Sequence, residues 1–474
     1  MRFGLRAWAR VAVAAAVAAA AAAVAASAAR APIGWDDVPA GVRPLLEARG
    51  LSREGFPAFV ERVRSTTQQR VREGQLDHVI FYALQSTHFT TLSPIEPALS
   101  AKALAESLDA ATRTKFRGDP SAVPLSKIPQ AVEQRITALL AAFDKDDKGK
   151  GRDDDARLRL FGRVVSAAFP AREERRAGLL QAYLRAMRFL YEKEFETPAA
   201  QRQEVSSLYQ TRGLSTDTAV EAGYLVHIGL ETMHALDPNY RVRRVLIVGP
   251  GLDLAPRTGL LESAPPQSYQ PWAVIDALVS LGLSRLDELE VTAADINPLV
   301  VEHVTAISKA PPALVLLSGL ADDRRTTLTD EYRAYFQTLG RAIGKEAAPP
   351  RVDAALASHL KKTLQVDPAA ARTLRAEPLD LVTERLPTRF DLIVITNVLP
   401  YLDDRELILA LTNIAAELAP GGVLLHNEPR PLLGEISERI DIHFIHARTA
   451  IIAKVAGATA PLSDSVFLHR KAGG

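Results

Sequence analysis

Arg243-Arg244-Val245-Leu246-Ile247-Val248-Gly249-Pro250-Gly251 is the stretch on which the fold turns. Four apolar residues, three of them β-branched, run without a break into Gly-Pro-Gly. A strand covered on both faces has this continuous apolar character. A glycine turn at its end lets a ligand approach the backbone. The same rhythm continues downstream. Leu289–Ala294 reads as a second strand, and Pro298 suits the first turn of a helix over Leu299 to Ser308. A helix over Trp272 to Leu281 lies between the two strands, after a long Pro-bearing loop from Ser263 to Pro271. Ala313–Leu317 reads as strand three and Phe390–Ile395 as a later strand. Asp404–Leu418 reads as a helix stopped by Pro420-Gly421-Gly422. Val423–Leu425 begins another strand, and Ile442–Val455 with Ser465–His469 predicts a terminal pair. Strands alternating with helices predict a doubly wound, mostly parallel α/β sheet of Rossmann-like type.

The first part of the chain reads differently. Residues 32–200 are expected to form a helical N-terminal domain. Val60 to Arg72, Ile80 to Ser86, Leu158 to Phe169 and Ala171 to Glu194 carry its helical segments. The Rossmann-like domain is expected over 201–474, with a helical insert at about 320–378. At 474 residues and 47% hydrophobic, the chain is long and apolar enough for two such units. Asp144-Lys145-Asp146-Asp147-Lys148-Gly149, with Asp155, resembles a calcium loop. Lys148, however, stands where an oxygen ligand belongs, so a solvated linker is expected.

Residues 1–31 have the three parts of a secretory signal peptide: Arg2, Arg6 and Arg10, an apolar run from Val11 to Ala26, and small residues at Ser27-Ala28-Ala29 and Ala29-Arg30-Ala31. The run is short for a spanning helix, so an uncleaved membrane anchor is the lesser alternative. The expected location is therefore exported, in a bacterial periplasm or envelope; a mis-called start would leave the protein cytoplasmic. The net charge of +1 carries no basic footprint, and no nucleic-acid partner is expected. Removal of residues 1–31 takes four arginines and no acid, leaving 53 basic against 56 acidic residues, a net charge of −3. With no cysteine, disulfides and thiolate metal sites are excluded. The histidines lack ligand spacing, and His443 and His446 would face opposite sides of a strand, so no metal is expected.

Ligands of a doubly wound sheet bind beyond the carboxyl ends of its strands. Three pieces should meet there. One is the Gly249-Pro250-Gly251 turn. The second is Asp295, in Ala294-Asp295-Ile296-Asn297-Pro298, where a carboxylate accepts the hydroxyls of a ribose or caps the next helix. The third is Asn397-Val398-Leu399-Pro400-Tyr401. Together with Phe390-Asp391-Leu392-Ile393-Val394 and Leu418-Ala419-Pro420-Gly421-Gly422-Val423-Leu424, the ordered set resembles class I S-adenosylmethionine-dependent methyltransferases over residues 240–430. Within that class it is most similar to the chemotaxis-receptor (glutamate) methyltransferases. Gln270-Pro271-Trp272, Asp295-Ile296-Asn297-Pro298, Glu331-Tyr332-Arg333-Ala334-Tyr335-Phe336, Asp380-Leu381 and the Asn397–Tyr401 loop carry this likeness.

The resemblance implies S-adenosylmethionine as cofactor. It implies Gly249, Pro250 and Gly251 around the methionine part, Asp295 and Ile296 at the ribose, Asp380 and Leu381 near the adenine, and Asn397 to Tyr401 near the donor methyl. Tyr401 and His426 are the candidates for shaping the acceptor side. Tyr209, Arg212 and Asp217 precede the first strand and are candidates to fold over the site; Thr216 or Asp217 as a helix cap is the simpler reading.

Several positions depart from the pattern. Ile247 stands where many class I enzymes have an acid. The third glycine is replaced by Leu252-Asp253-Leu254, with Asp253 as a stand-in carboxylate, and Thr396 replaces an Arg. Methylation of receptor glutamates is therefore not expected. The function expected is methyl transfer to an unidentified acceptor. The alternative is a non-catalytic exported binding protein on the same frame, since S-adenosylmethionine is made in the cytosol. A nicotinamide-dependent oxidoreductase ranks last, because the third glycine is absent and the acid follows too late.

Overall fold

The computed structural model describes residues 30–147, 155–196, 208–255, 260–350 and 352–473. The leader expected at 1–31 lies outside them except for Arg30 and Ala31, as does most of the calcium-like loop. No helix of the described residues is long and apolar enough to cross a membrane.

Eleven strands form two sheets among the described residues. In chain order they are β1 (Arg244–Val248), β2 (Glu290–Asp295), β3 (Ala313–Ala321), β4 (Thr326–Leu328), β5 (Gly344–Ala347), β6 (His359–Val366), β7 (Leu374–Pro378), β8 (Phe390–Ile395), β9 (Leu418–His426), β10 (Ile442–Val455) and β11 (Leu462–Lys471). The large sheet runs β4-β10-β11-β9-β8-β1-β2-β7. Its β7-β2-β1-β8-β9 core is parallel throughout. Counted along the chain, these five stand in the order third, second, first, fourth, fifth. The order reverses between β1 and β8, the switch point of a doubly wound sheet. The terminal pair is antiparallel, with β11 beside β9.

Alternate residues of β1 feed two separate apolar clusters. Val245 and Ile247 join the Val220–Leu236, Gln270–Ser280 and Pro298–Lys309 helices on one face. Leu246 and Val248 join the Asp404–Glu417 and Pro431–Arg439 helices on the other. Both sheet faces are thus covered, which is why the strands read as continuous apolar runs. The helices at Pro97–Ser107, Gln130–Asp147, Ala156–Ala168 and Arg172–Tyr191 share the first cluster with the sheet.

Two expectations differ from the structure. Ala313–Leu317 lies in β3, which belongs to a separate antiparallel sheet of order β3-β6-β5. The third parallel strand is β7, Leu-Arg-Ala-Glu-Pro, whose charged residues and closing proline suit a sheet edge. The stretch at 320–378 accordingly carries strands β4, β5, β6 and β7 besides its one longer helix, Asp330–Thr338.

The 30-residue helix Phe56–Gln85 sets the architecture of the site. It is about 45 Å long. Phe56, Phe59, Val60 and Val63 in its first half pack in the cluster on one sheet face. Leu76, Val79, Ile80 and Tyr82 in its second half pack in the cluster on the other. The helix therefore straddles the carboxyl rim of the sheet, and its middle, Arg70 to His78, lies over the switch point.

Candidate functional site

The floor of the site is the Gly249–Gly251 turn. Both glycines adopt positive φ, 68° and 78°, a region that side chains with a Cβ avoid. The Gly249 N–H donates to the Ala294 carbonyl at 2.9 Å, which sets the turn beside Asp295. The Asp295 side chain accepts the Asn297 amide at 2.7 Å, and the Ile296 amide also faces it. It therefore does cap the following turn. No side-chain donor or cation reaches it among the described residues. Burial pushes its carboxyl up to about 7, with the two amides only partly offsetting this.

Beside it, Asn297 is 2% exposed. Its Oδ1 accepts both the Leu299 amide (3.1 Å) and Gln75 Nε2 (2.9 Å) from the overlying helix. The Leu299 amide fixes the orientation of the carboxamide, so Nδ2 is left buried without an acceptor. The Gly251 N–H likewise donates to no described residue. The turn thus carries a carboxylate that no side chain answers, and two N–H groups, of Gly251 and of the buried Asn297 carboxamide, without an acceptor among the described residues.

The same rim is covered by protein. A Cβ at Gly249 would meet Val398 Cγ2, and one at Gly251 would meet Thr218 Oγ1 and the Thr216 carbonyl. The glycines thus make room for the 216–218 segment and the Val398 loop. Asp217 does not cap a helix. The Val220–Leu236 helix starts from Ala219 with no side-chain cap. Asp217 instead accepts the Leu254 and Ala255 amides at 2.8 and 3.2 Å, while Asp253 accepts the Thr218 amide at 2.7 Å. The Leu252 amide donates to the Thr216 carbonyl, and Thr216 Oγ1 donates to the Leu252 carbonyl. The two segments brace each other.

Asp253, proposed as a stand-in ligand, is therefore turned toward Thr218. Burial and then the neighbouring Asp217 push its carboxyl well above the usual range. Burial works against the Asp217 carboxylate too, but His78 and the two amides outweigh it and hold it low. His78 Nε2 accepts the Thr216 amide at 3.2 Å, and Nδ1 lies 3.3 Å from Asp217 Oδ2.

On the far side, Asn397 sits at φ 59°. Its amide and its Oδ1 both pair with Asn427, at 2.9 Å each. This ties the ends of β8 and β9. Leu399–Tyr401 forms a 3₁₀ turn. Burial pushes the Tyr401 phenol up, with Arg212 and the Ser215 amide opposing, so it is a hydroxyl donor at neutral pH. The Tyr401 ring meets that of Tyr209 edge-on at 5.3 Å.

Arg70 buckles this side. It donates to the carbonyls of Arg212 (3.0 Å), Tyr209 (2.9 Å) and Tyr401 (3.1 Å). Gln210 Nε2 adds a bond to the Leu402 carbonyl. A Cβ at Gly74 would run into the Leu214 backbone, so the helix and this segment are in closest contact there. Thr396 Oγ1 accepts Gln270 Nε2 at 2.7 Å, joining the first helix of the sheet to the end of β8.

His426 and the adenine-side pair sit differently. His426 is fully buried, with Nε2 3.1 Å from His469 Nδ1 and Nδ1 accepting the Glu428 amide. Both ring nitrogens are engaged, and burial, then His469, holds the ring neutral far below its usual pKa. Asp380 Oδ1 accepts the Val382 amide, and burial raises its carboxyl. Leu381 packs in the second apolar cluster, and its carbonyl accepts Asn413 Nδ2. Asn297 stands in the quoted Asp295–Pro298 motif without an assigned role, and Arg70 and Gln75 have no signal in the sequence reading. These last two reach the site from about 170 residues before β1.

No family model and no curated protein matches the chain. Among solved structures it is similar to the N-methyltransferase NodS from Bradyrhizobium japonicum, solved with S-adenosyl-l-homocysteine (13% identity, 52% of this chain and 85% of that one, TM-score 0.25). It is also similar to magnesium protoporphyrin IX methyltransferase from Synechocystis, solved with bound SAM (11%, 58% and 100%, TM-score 0.28). A TehB-like SAM-dependent methyltransferase from Corynebacterium glutamicum is a third (15%, 56% and 94%, TM-score 0.25). The doubly wound fold of the chain stands on its own strand register and not on these likenesses.

Proposed function

We propose that the chain is a class I S-adenosylmethionine-dependent methyltransferase acting on an unidentified acceptor. The observation that carries this reading is Asp295. It is a carboxylate at the end of β2, beside a positive-φ glycine turn at the switch point, with no side chain donating to it. A pair of ribose hydroxyls would supply the missing donors. The Gly251 amide and Asn297 Nδ2 would meet further acceptor atoms, and Asp380 and Leu381 would flank the base. S-adenosylmethionine supplies an electrophilic methyl on a sulfonium, open to in-line displacement.

The chain's own part is to position and to exclude water. Helix Phe56–Gln85 closes the rim, Asn427 fixes Asn397, and Tyr401 offers a hydroxyl. A phenol held protonated orients an acceptor and does not deprotonate it. His426 holds β9 to β11 with both ring nitrogens engaged and is not placed to act as a general base, and an acceptor that is already nucleophilic needs none. The finer likeness to chemotaxis-receptor enzymes rests on the sequence motifs alone.

One observation favours a second reading, an exported binding protein on the same frame. Val398 and Thr218 occupy the space that the two glycines leave. Calorimetric titration of the protein with S-adenosylmethionine and S-adenosylhomocysteine separates the two. Micromolar binding that disappears in Asp295→Ala supports the enzyme. Absence of binding to both nucleosides favours the second reading. Residues 1–31 are proposed to direct export. Arg30 pairs with Glu377 at 2.8 Å, a contact that cleavage after Ala29 keeps and cleavage after Ala31 removes. Mass spectrometry of the mature N-terminus from the native host decides between them, and an intact Met1 would end the cleaved-leader proposal.

A further inference from the structure

We propose that Arg212 is an anion-binding residue on the Tyr401 side of the crevice, and that the molecule held there carries a carboxylate or a phosphate. Calling that molecule the methyl acceptor rests on the reading above; the anion site itself does not.

Arg212 is fixed but unused. Its guanidinium carbon lies 3.9 Å from the centroid of the Phe189 ring and 5.9 Å from that of Tyr209. Its carbonyl is held by Arg70 Nε. Yet the guanidinium donates no hydrogen bond and forms no ion pair among the described residues. Its Nε is buried without a partner.

The neighbouring charges are already engaged. Arg70 uses its donors on three backbone carbonyls. Arg185 bonds Asp77 at 2.9 Å and the Glu73 carbonyl at 3.2 Å. Glu406 turns back to the Asp403 amide at 2.8 Å, closing a helix cap. Asp77, whose carboxyl burial raises and the charges of Arg185 and then Arg212 oppose, is 4% exposed and hydrogen-bonded to Arg185. Arg212 is left with no hydrogen-bonded partner for its guanidinium among the described residues.

A guanidinium packed by one face on an aromatic ring keeps its N–H edge free. That edge is a planar fork matching two oxygens of a carboxylate or phosphate. The adjoining Tyr209 and Tyr401 rings supply an apolar wall, so the group expected is an anion on an aromatic or flat apolar body.

The test uses the full chain and three probes: benzoate, phenyl phosphate and neutral benzamide, titrated by calorimetry. At least one anion should bind the unaltered protein, more weakly as salt rises, and at least tenfold more weakly in Arg212→Gln. Tighter benzoate assigns a carboxylate ligand; tighter phenyl phosphate assigns a phosphate. Arg212→Lys, which keeps the charge and loses the fork, should fall between. Benzamide should show no dependence on residue 212. Equal anion binding in Arg212→Gln, or none by the unaltered protein, overturns the proposal. Should Arg212→Gln not fold, the Lys variant and the salt dependence carry the same decision. S-adenosylmethionine is titrated into the same proteins. Its affinity should survive Arg212→Gln. Anion binding without S-adenosylmethionine binding would sink the methyltransferase reading and leave the anion site standing.

Discussion

Around Gly249–Asp253 the polar groups are turned inward, whereas beside Tyr401 the Arg212 guanidinium meets no acceptor. On the first bank, the side chains of Asp217, Asp253 and Thr216 are satisfied by backbone groups of the facing segment. On the second, Arg70 fastens three carbonyls while its neighbour is left free. The contrast separates groups that build the crevice from groups that can address a ligand. A charged residue near a site is informative when no side chain answers it, and among the described residues Asp295 and Arg212 are two such groups.

The strongest way to break the comparison is Gly251→Val. Positive φ costs a branched side chain about 1–2 kcal/mol, and overpacking against Thr218 and the Thr216 carbonyl adds about 1–3 kcal/mol. Urea unfolding should show a loss of about 2–5 kcal/mol. A loss under about 1 kcal/mol would mean that the braced bank yields easily.

Acid should loosen the same bank at His303 and, separately, the β9–β11 pairing at His469. His303 Nε2 accepts the Ser268 amide at 3.2 Å, and burial lowers its pKa to about 4. His469 is likewise lowered to about 4 by burial. A histidine depressed on folding lends stability that is complete above its unfolded pKa of about 6.5 and is lost as pH falls from there toward 4. The expected loss is on the order of 1–3 kcal/mol for each, and His303→Gln should flatten the slope between pH 6.5 and 4. An unchanged slope would remove His303 from the account.

Arg70→Met tests the buckle between the banks. It leaves three carbonyls without their donor but also removes a buried cation, so the net loss should be about 2 kcal/mol. Limited proteolysis should then cut within residues 208–215 several-fold faster. Equal cutting rates would show that Gln210 and Gly74 suffice.

The smallest effect is a gain. Asp295 has a raised folded pKa of about 7, so ionising it opposes folding increasingly from about pH 4 upward until the carboxyl is fully charged. Asp295→Asn should stabilise the ligand-free protein at pH 8 by about 1–2 kcal/mol, discounted for partial exposure, and have no effect at pH 4. A destabilising Asn at pH 8 would mean that the carboxylate has a partner in solution.

The parallel core was legible because β1, β8 and β9 each hold an unbroken apolar run, Val245–Val248, Leu392–Ile395 and Val423–Leu425. β7 was not, since an edge strand keeps polar residues on its open side, and β3 has the same apolar character whichever sheet it joins. That Asp295 and the glycine turn stand at strand ends was legible from sequence. Their burial under helix Phe56–Gln85 was not, because nothing in a helical period says what a helix lies across. Asp217 was read as a cap and is one, but for the turn at Leu254 and not for a helix. Local patterns identify a capping side chain more readily than the amides it serves.

The straddling helix also has a kinetic consequence. If an adenosyl group enters beneath this helix, the Gln75–Asn297 bond and the three Arg70 bonds have to open first, and admission and release then wait on the same unclasping. Exchange should then be slow and steeply temperature-dependent, even where equilibrium affinity is modest. A protein built this way would retain what it captures through dilution, a property of the strap and not of the pocket's chemistry.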